Sequence, residues 1–343
     1  MKDQNKPGKM IRGILFSFMI AVIAIIVESV LPVEFIGSTV IAIFIGVFIN
    51  YFFPVNQTSL NEGVRFTAKR VLKLAIILLG GSLNISTIVE VGQMAIVILA
   101  FTLSTAFILG FFIGKIMNQE WEFTSLISSG SAICGGSAIS AVAPAVGAKD
   151  YQIAYAISNV FLFDLIMIIL FPLLGQWLNL TDISYGLWAG TSINDTSSVV
   201  AAGYAFSESA GDFATMVKLT RTLAIIPTVI VFTFIPFYLN RKHAKQRKET
   251  GIKMEIFKVF PWFIIGFLIL VLLNSLGYIS PDVANTLREI SKFLMVVALS
   301  AIGLRTNISE MKHLGIGPLL QSFITSSAVV MVSITVQYLL NFI

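Results

Sequence analysis

The sequence predicts an all-α, polytopic membrane protein of about nine to eleven helices, with inverted repeats and two discontinuous segments. Of its 343 residues, 56% are hydrophobic, and the mean hydropathy is +0.89. Only 12% are Asp, Glu, Lys or Arg, about half the share that an ordinary soluble domain carries. Apolar runs of about twenty residues recur along the chain, and each can cross a hydrocarbon layer of about 30 Å. This composition excludes a soluble globular protein, a disordered chain and a nucleic-acid binder.

The predicted helices follow one another with short polar connections. The first run follows Lys2, Lys6 and Lys9 as in a signal peptide, but no small-x-small cleavage site follows it, so we expect it to be retained. The continuous spans are predicted at 10–30, 34–53, 66–83, 92–117, 153–175, 212–239, 257–276, 288–304 and 314–341. Two further segments, 123–148 and 184–208, are apolar but rich in Gly and Ser, which predicts broken helices.

These spans predict one integral membrane domain over residues 1–343. It consists of an extra N-terminal helix at 1–30, a first half at 34–175 and a second half at 184–343. The second half contains a basic loop at 240–258.

The placement of Lys and Arg predicts the orientation. If the N-terminus is cytoplasmic and both broken segments are re-entrant, most basic residues lie at cytoplasmic loops or helix ends, most clearly Arg241 to Lys248. The broken segments could also cross the membrane; the re-entrant alternative keeps Lys149 cytoplasmic. We therefore expect a multi-pass protein of the bacterial inner membrane, whose basic residues contact anionic lipid and not nucleic acid.

Two pairs of motifs indicate an internal repeat. Gly80-Gly-Ser-Leu-Asn84-Ile-Ser86 matches Gly303-Leu-Arg-Thr-Asn307-Ile-Ser309, and a further Gly follows each copy at the same distance. Gly130-Ser-Ala-Ile133-Cys-Gly-Gly-Ser137 matches Gly190-Thr-Ser-Ile193-Asn-Asp-Thr-Ser197 more weakly. The predicted topology places the first pair on opposite sides of the membrane. Inverted repeats with glycine-interrupted helices are typical of secondary transporters, although Gly, Ser and Ala also simply permit close helix packing.

These motifs carry a resemblance to a known family. The matching stretches are Ser131-Ala-Ile-Cys-Gly-Gly-Ser-Ala-Ile139, Trp188 to Gly203, Val217-Lys-Leu-Thr-Arg221 and Ala301-Ile-Gly-Leu-Arg-Thr306. In combination they make the chain resemble the bacterial sulfate exporter family of integral membrane proteins. That family is distantly similar to the cation/proton antiporter and bile acid symporter superfamily. The resemblance implies a transporter with inverted repeats and discontinuous core helices.

The candidate substrate ligands lie at the two predicted breaks and on the helix at 212–239. They are Ser131, Cys134, Gly135, Gly136, Ser137, Asn194, Asp195, Thr196, Ser197, Lys218 and Arg221. Charged groups at membrane depth are costly and mark functional candidates. The planar guanidinium of Arg221 suits an oxyanion, but Lys218 and Arg221 could also extend to the interface. Three cations, including Arg305, against two anions predict a bound anion that supplies the missing charge.

Candidate groups for a coupling ion are Asn159, Asp164, Asp195 and Arg305. Asp164 lies within an apolar run, so it must pair with a distant cation such as Arg221 or Arg305, bind an ion, or carry a proton. Asp195 could bind Na⁺ or a proton, or cap the following helix. The two roles of Asp195 are compatible.

The function predicted from these features is secondary transport of a small anion, such as sulfate, a sulfonate or a similar oxyanion, coupled to H⁺ or Na⁺. The alternatives are a passive channel and an intramembrane aspartyl enzyme that uses Asp164 and Asp195. We predict that the protein is not an enzyme: Cys134 has no nearby His, which argues against a nucleophilic enzyme. The chain has no phosphate-binding Gly-x-x-x-x-Gly-Lys-Ser/Thr motif, which argues against an ATP-driven pump. No cofactor and no metal site are expected, and a homodimer is a candidate assembly.

Overall fold

The computed structural model describes residues 6–30, 37–55, 58–239, 261–306 and 316–343. These residues form helices joined by short turns, and none of them lies in a strand, which confirms the all-α prediction. The elements in chain order are α1 (Lys6–Val30), α2 (Ser38–Phe52), α3 (Asn61–Phe66), a π-helical turn (Thr67–Val71), α4 (Leu72–Gly80), α5 (Ile85–Ile116), α6 (Trp121–Ala132), α7 (Gly136–Val146), α8 (Asp150–Trp177), α9 (Asp182–Ser192), α10 (Thr196–Phe206), α11 (Glu208–Thr222), α12 (Ile225–Leu239), α13 (Trp262–Ser275), α14 (Pro281–Gly303) and α15 (Ile316–Leu339).

Within the described ranges, five helical segments are long and apolar enough to cross a membrane, so the protein is polytopic. Large apolar side chains are exposed on them, as at Ile108 and Phe112 of α5, which are 68% and 61% exposed. Such a surface suits contact with lipid chains. The predicted basic loop and the repeat residues Asn307 and Ser309 lie outside the described residues.

The span predicted at 212–239 is confirmed as one apolar segment long enough to cross a membrane, Glu208–Phe234. It is not one regular helix, because a turn at Leu223 and Ala224 separates α11 from α12. Pro227 lies in the first turn of α12, where the N–H that it lacks would have no intrahelical acceptor in any case.

Both predicted interruptions are confirmed. The first segment breaks between α6 and α7, and the second breaks between α9 and α10. Helices α6 and α7 pack against each other. A Cβ atom placed on Gly130 would lie only 2.8 Å from Cδ1 of Ile139, whereas nine residues of straight helix span about 13 Å. The chain therefore turns at the first break.

The helices form two compact units, and the first comprises the described residues within Met1–Glu90, Val200–Gly211 and Trp262–Lys312. In it, α14 packs against α2 and α4, and α1 packs against α2 and α3. The repeat glycines lie where neighbouring backbones approach closely. A Cβ atom on Gly80 would be 2.5 Å from the Phe267 carbonyl oxygen, and one on Gly303 would collide with the Ile43 carbonyl oxygen.

The second unit comprises the described residues within Val91–Val199, Asp212–Pro261 and His313–Ile343. In it, α6 packs against α7, α8 and α15, while α12 packs against α7 and α9 packs against α15. Its core consists mainly of small and apolar side chains of α6, α7, α8 and α12, joined by Ala106 of α5 and Val329 of α15. Both helix breaks belong to this unit. Each unit takes residues from both predicted halves, so the halves at 34–175 and 184–343 remain a prediction.

Candidate functional site

The two helix breaks are in contact. Gly135 lies at the first break with φ = +59° and ψ = −126°, a backbone conformation that only glycine adopts readily. Its Cα faces Asp195 at the second break, because a Cβ atom built there would lie 3.4 Å from Cβ of Asp195. The sequence therefore needs glycine at this position to turn the chain, and the turn brings the two breaks together.

Two buried cations bind the carbonyl ends of α6 and α9. Lys218 donates from Nζ to the Ile133 carbonyl at 2.6 Å and to the Ile193 carbonyl at 3.0 Å. The last carbonyl groups of a helix have no partner within it, and cations are favourable there. One ammonium group thus links both breaks. Lys218 is fully buried, so it does not extend to an interface.

Arg221 binds the same two ends with three hydrogen bonds. Its Nη2, Nε and Nη1 donate to the carbonyl oxygens of Ser131 at 2.5 Å, Ala132 at 2.7 Å and Ile193 at 2.9 Å. Arg221 is also fully buried. At least three of its five N–H donors are therefore used by main-chain carbonyls, and the predicted role in binding an anion remains a prediction.

Asp164 binds the amino end of α10. Its two carboxylate oxygens accept hydrogen bonds from the backbone N–H groups of Asn194 at 2.9 Å and Asp195 at 2.7 Å. Among the described residues it forms no ion pair with Arg221. Asp195 in turn caps α10, because its Oδ2 accepts hydrogen bonds from Ser197 Oγ and, at 2.9 Å, from the Ser197 N–H. The predicted capping role of Asp195 is confirmed.

The charges at the broken ends are balanced. Lys218 and Arg221 bind the carbonyl ends, whereas Asp164 and Asp195 bind the amino end of α10. Arg305 belongs to the first unit and has an exposed side chain. Helix ends compensate the four buried charges. The predicted surplus of one cation therefore depends on Arg305, and the bound anion inferred from it remains a prediction.

The amino end of α7 differs from the other broken ends. Within the described residues, the N–H groups of Gly136 and Ser137 have no hydrogen-bond acceptor. Gly136, Asp195 and Thr196 are partly exposed and Ser137 is exposed. The other predicted ligands at the breaks are buried, namely Ser131, Cys134, Gly135, Asn194 and Ser197. The accessible part of the site therefore combines main-chain donors, hydroxyl groups and one carboxylate.

A polar stripe on α15 completes the site, and the sequence analysis missed it. Ser326 accepts a hydrogen bond from Asn194 Nδ2 at 3.2 Å and donates to Ser131 Oγ at 3.0 Å, so it connects the two breaks. Residues on the same face of a helix recur every three to four residues, and after two turns about every seven residues. The buried polar positions Gln321, Ser322, Thr325, Ser326, Ser333 and Gln337 follow this spacing. That periodicity could have identified the stripe.

Asn159 remains a candidate for a coupling ion. It is buried on α8, and neither atom of its side-chain amide has a hydrogen-bond partner among the described residues. Oδ1 of Asn194 also has no hydrogen-bond partner among the described residues. Buried polar atoms without partners commonly bind a water molecule or an ion.

The fold and the site define an all-α polytopic membrane protein with a polar core at two helix breaks. Residues 12–322 match the family model described as conserved hypothetical protein 698, and the chain belongs to this family.

The relatives have nearly the same length. The chain is 47% identical to a UPF0324 membrane protein of Clostridium tetani, with 96% of this chain and 97% of the relative aligned. A UPF0324 membrane protein of Streptococcus agalactiae is 38% identical, with 96% and 98% aligned, and one of Fusobacterium nucleatum is 37% identical, also with 96% and 98% aligned. No solved structure matches the chain. The names describe membrane proteins and state no activity.

Proposed function

We propose that the protein is a secondary transporter that carries a small anion, such as sulfate, a sulfonate or a similar oxyanion, across the bacterial cell membrane. One observation carries the proposal: two helix breaks touch inside the second unit, and Lys218 binds a carbonyl group of each. Secondary transporters bind substrate and coupling ion where discontinuous helices meet. Irregular backbone is costly in a bilayer unless it is buried or lines a cavity, so a purely structural role would not require two such breaks.

An anion suits the accessible part of the site. The N–H groups of Gly136 and Ser137 point from the amino end of a helix, which carries partial positive charge. The hydroxyl groups of Ser137 and Thr196 lie in the same accessible region and can donate to an oxyanion. The donor set therefore favours an oxyanion over an apolar or cationic substrate.

The same geometry supports coupling to H⁺ or Na⁺. Asp195 lies against Gly135, next to the amino end of α7, so its negative charge opposes an anion there. A proton or Na⁺ on this carboxylate removes that repulsion. An anion and a cation then bind better together than separately, which is the condition for cotransport.

The two alternatives are less well supported. An aspartyl enzyme needs its two carboxylates to share a proton, but Asp164 accepts from the backbone of residues 194 and 195, and Asp195 accepts from Ser197. A channel would need a continuous pathway in place of an alternating site. We further propose a cytoplasmic N-terminus, in accordance with Lys6, Lys9 and Arg12 in the first two turns of α1.

Flux in proteoliposomes tests the proposal. The full chain is reconstituted with unlabelled sulfate inside, and uptake of labelled sulfate is measured, with methanesulfonate as a second probe. A carrier shows counterflow, in which label accumulates transiently above its equilibrium level, whereas a channel only equilibrates it. Absence of counterflow for every oxyanion tested contradicts the anion assignment.

Coupling is tested in the same vesicles. An imposed pH or Na⁺ gradient should drive uptake by the parent protein, and Asp195→Asn should lose this response. Asp282→Asn, at an exposed position of α14, is the matched control and should behave like the parent. Equal gradient responses in Asp195→Asn and the parent would exclude Asp195 as the coupling group.

A further inference from the structure

Buried polar side chains of α6 and α15 lie side by side in the second unit and form a series, here called the polar row. The row begins at the turn between α5 and α6, where the partly exposed Gln119 lies against Gly317 of α15. It ends at the helix breaks, where Ser326 donates to Ser131. The members of the row are Gln119, Thr124, Ser128, Ser131, Gln321, Ser322, Thr325 and Ser326. The row thus leads from a partly exposed turn to the candidate site.

Two glycines of α5 bring the row against the helix backbone. A Cβ atom on Gly110 would collide with Oγ of Ser128. One on Gly114, a turn later, would collide with Thr124 and lie 3.1 Å from Nε2 of Gln321. The same Nε2 donates to the Gly110 carbonyl oxygen at 3.0 Å. The polar side chains of α6 and α15 therefore meet at two successive turns of α5.

The row contains more polar atoms than hydrogen-bond partners. Those without a partner among the described residues are Oγ of Ser128, Oγ of Ser322, Oγ1 of Thr325 and Oε1 of Gln321. All four side chains are at most 1% exposed. Buried polar atoms without a partner destabilise a protein, and internal water molecules with about three hydrogen bonds each commonly satisfy such atoms. Four of them on neighbouring helix turns therefore indicate bound water.

The inner end of the row lies beside two carboxylates. Ser326 accepts a hydrogen bond from Nδ2 of Asn194, whose Oδ1 has no partner among the described residues. Asp164 accepts hydrogen bonds from the N–H groups of Asn194 and Asp195. The row therefore leads to groups that can take up a proton.

The charges around the row favour neutral water over a metal cation. The titratable groups within electrostatic range of the two carboxylates are Lys218, Arg221 and Cys134. Of the helices packed against α8, α7 and the described α15 carry no charged residue, and α6 carries only Glu122, in its first turn. The row has no carboxylate of its own, so Na⁺ inside it would be a buried charge without a compensating anion, which is costly.

Building on the proposed transport function, we propose that the polar row binds internal water molecules and conducts H⁺ from the turn between α5 and α6 to Asp164 and Asp195. Each hydroxyl group or water molecule accepts one proton from its outer neighbour and releases another to its inner neighbour. The row is therefore unchanged after each transfer, and one carboxylate becomes protonated. This assignment makes H⁺, not Na⁺, the coupling ion.

Thermal unfolding of the full chain in detergent tests the bound water. Thr325→Val removes an unpaired hydroxyl group and keeps the shape of the side chain. If water binds there, the variant leaves that water without a partner and should unfold about 3 °C lower than the parent. In a dry row the same change removes an unpaired polar atom, so unfolding at a higher temperature would refute the bound water. The matched control is Thr335→Val, at an exposed position of the same helix, which should unfold within about 1 °C of the parent.

A crystal structure that resolves water gives a second, direct measurement. Ordered water bonded to Oγ of Ser128 and Oγ1 of Thr325 is expected. Hydrogen bonds from both hydroxyl groups to helix carbonyls, with no water between α6 and α15, would overturn the proposal.

Proton flow is tested in the proteoliposomes. A pH gradient should drive sulfate uptake by the parent, and Ser128→Ala/Thr325→Val should slow this uptake about tenfold, the effect of about one hydrogen bond lost from the path. Counterflow without a gradient should persist in the double variant, because it needs no net entry of H⁺. The control Ser104→Ala/Thr335→Val, at exposed positions of α5 and α15, should behave like the parent.

Two results of the flux experiment would refute the proton route. One is uptake by the parent that follows a Na⁺ gradient but not a pH gradient, and the other is equal pH-driven uptake by Ser128→Ala/Thr325→Val and the parent. Absence of counterflow in the parent would instead refute the proposed function. The unfolding temperatures and the crystal structure then still decide whether the row binds water.

Discussion

Arg221 makes the sharpest test of how the broken helices are held. In Arg221→Met the carbonyl oxygens of Ser131 and Ala132 lose their donor, while the Ile193 carbonyl keeps its hydrogen bond from Lys218. A buried carbonyl without a donor costs about 1–3 kcal/mol. We therefore expect Arg221→Met to lower the free energy of unfolding by about 2–6 kcal/mol.

Lys218 should be the smaller contributor. In Lys218→Met only the Ile133 carbonyl loses its donor, because Arg221 still binds the Ile193 carbonyl, so the expected cost is about 1–3 kcal/mol. In the double variant the Ile193 carbonyl is also left without a donor. The double variant should therefore cost about 1–3 kcal/mol more than the sum of the single variants. Removing each charge also removes its desolvation cost. This contribution is the same in the double variant and in the sum of the single variants, so it cancels.

Equilibrium unfolding in mixed micelles with a chemical denaturant measures these differences. The matched control is Lys115→Met on the exposed surface of α5, which should change the free energy of unfolding by less than about 0.5 kcal/mol. If the changes in the free energy of unfolding of Arg221→Met and Lys218→Met simply add in the double variant, the Ile193 carbonyl is not a shared acceptor. A larger cost for Lys218→Met than for Arg221→Met would refute the assignment of donors to carbonyls.

Three further predictions concern the glycines and Asp195, whose side chain is partly exposed. Gly135→Ala should lower the stability by about 1–3 kcal/mol because Gly135 has a positive φ. The neighbouring Gly136→Ala should be near neutral, since its nearest new contact is 3.6 Å away. Thermal unfolding compares the two variants. Gly303→Ala should destabilise by about 1–3 kcal/mol through backbone collision, while Gly92→Ala, with open space around it, should stabilise by up to about 1 kcal/mol. Counterflow needs no imposed pH or Na⁺ gradient, so it should survive in Asp195→Asn. Loss of counterflow in this variant would show that Asp195 takes part in substrate binding.

Much of the fold could be predicted because the signals are local. Length and hydropathy identify membrane helices, and Gly and Ser within apolar segments identify the two breaks. The turn after Arg221 was missed, although Pro227 marks it, because the apolar run continues across it. Repeat glycines at 80 and 303 were recognised as a pattern, but their role at close backbone contacts depends on partners far away in sequence.

The partners of the buried charges could not be predicted. The cost of burying a charge shows that the charge needs a compensating partner, but it does not identify that partner. Asp164 is compensated by N–H groups thirty residues away, and Lys218 by carbonyl groups of two different helices. A count of charges treats only other charges as partners, so it did not foresee that helix ends compensate these four. Arg305 entered that count as a cation at or near helix depth, and the structure shows that its side chain is exposed.

This compensation also narrows where a ligand can bind. The two breaks create four helix ends, and side chains already serve three of them: the carbonyl ends of α6 and α9, and the amino end of α10. Within the described residues, only the amino end of α7 keeps unpaired N–H groups, at Gly136 and Ser137, and it is also accessible. A ligand that binds there replaces water and leaves the bonds of Lys218 and Arg221 intact. In the transport that we propose, the core then stays assembled, and Asp195 beside that end adjusts the affinity of the site for an anion.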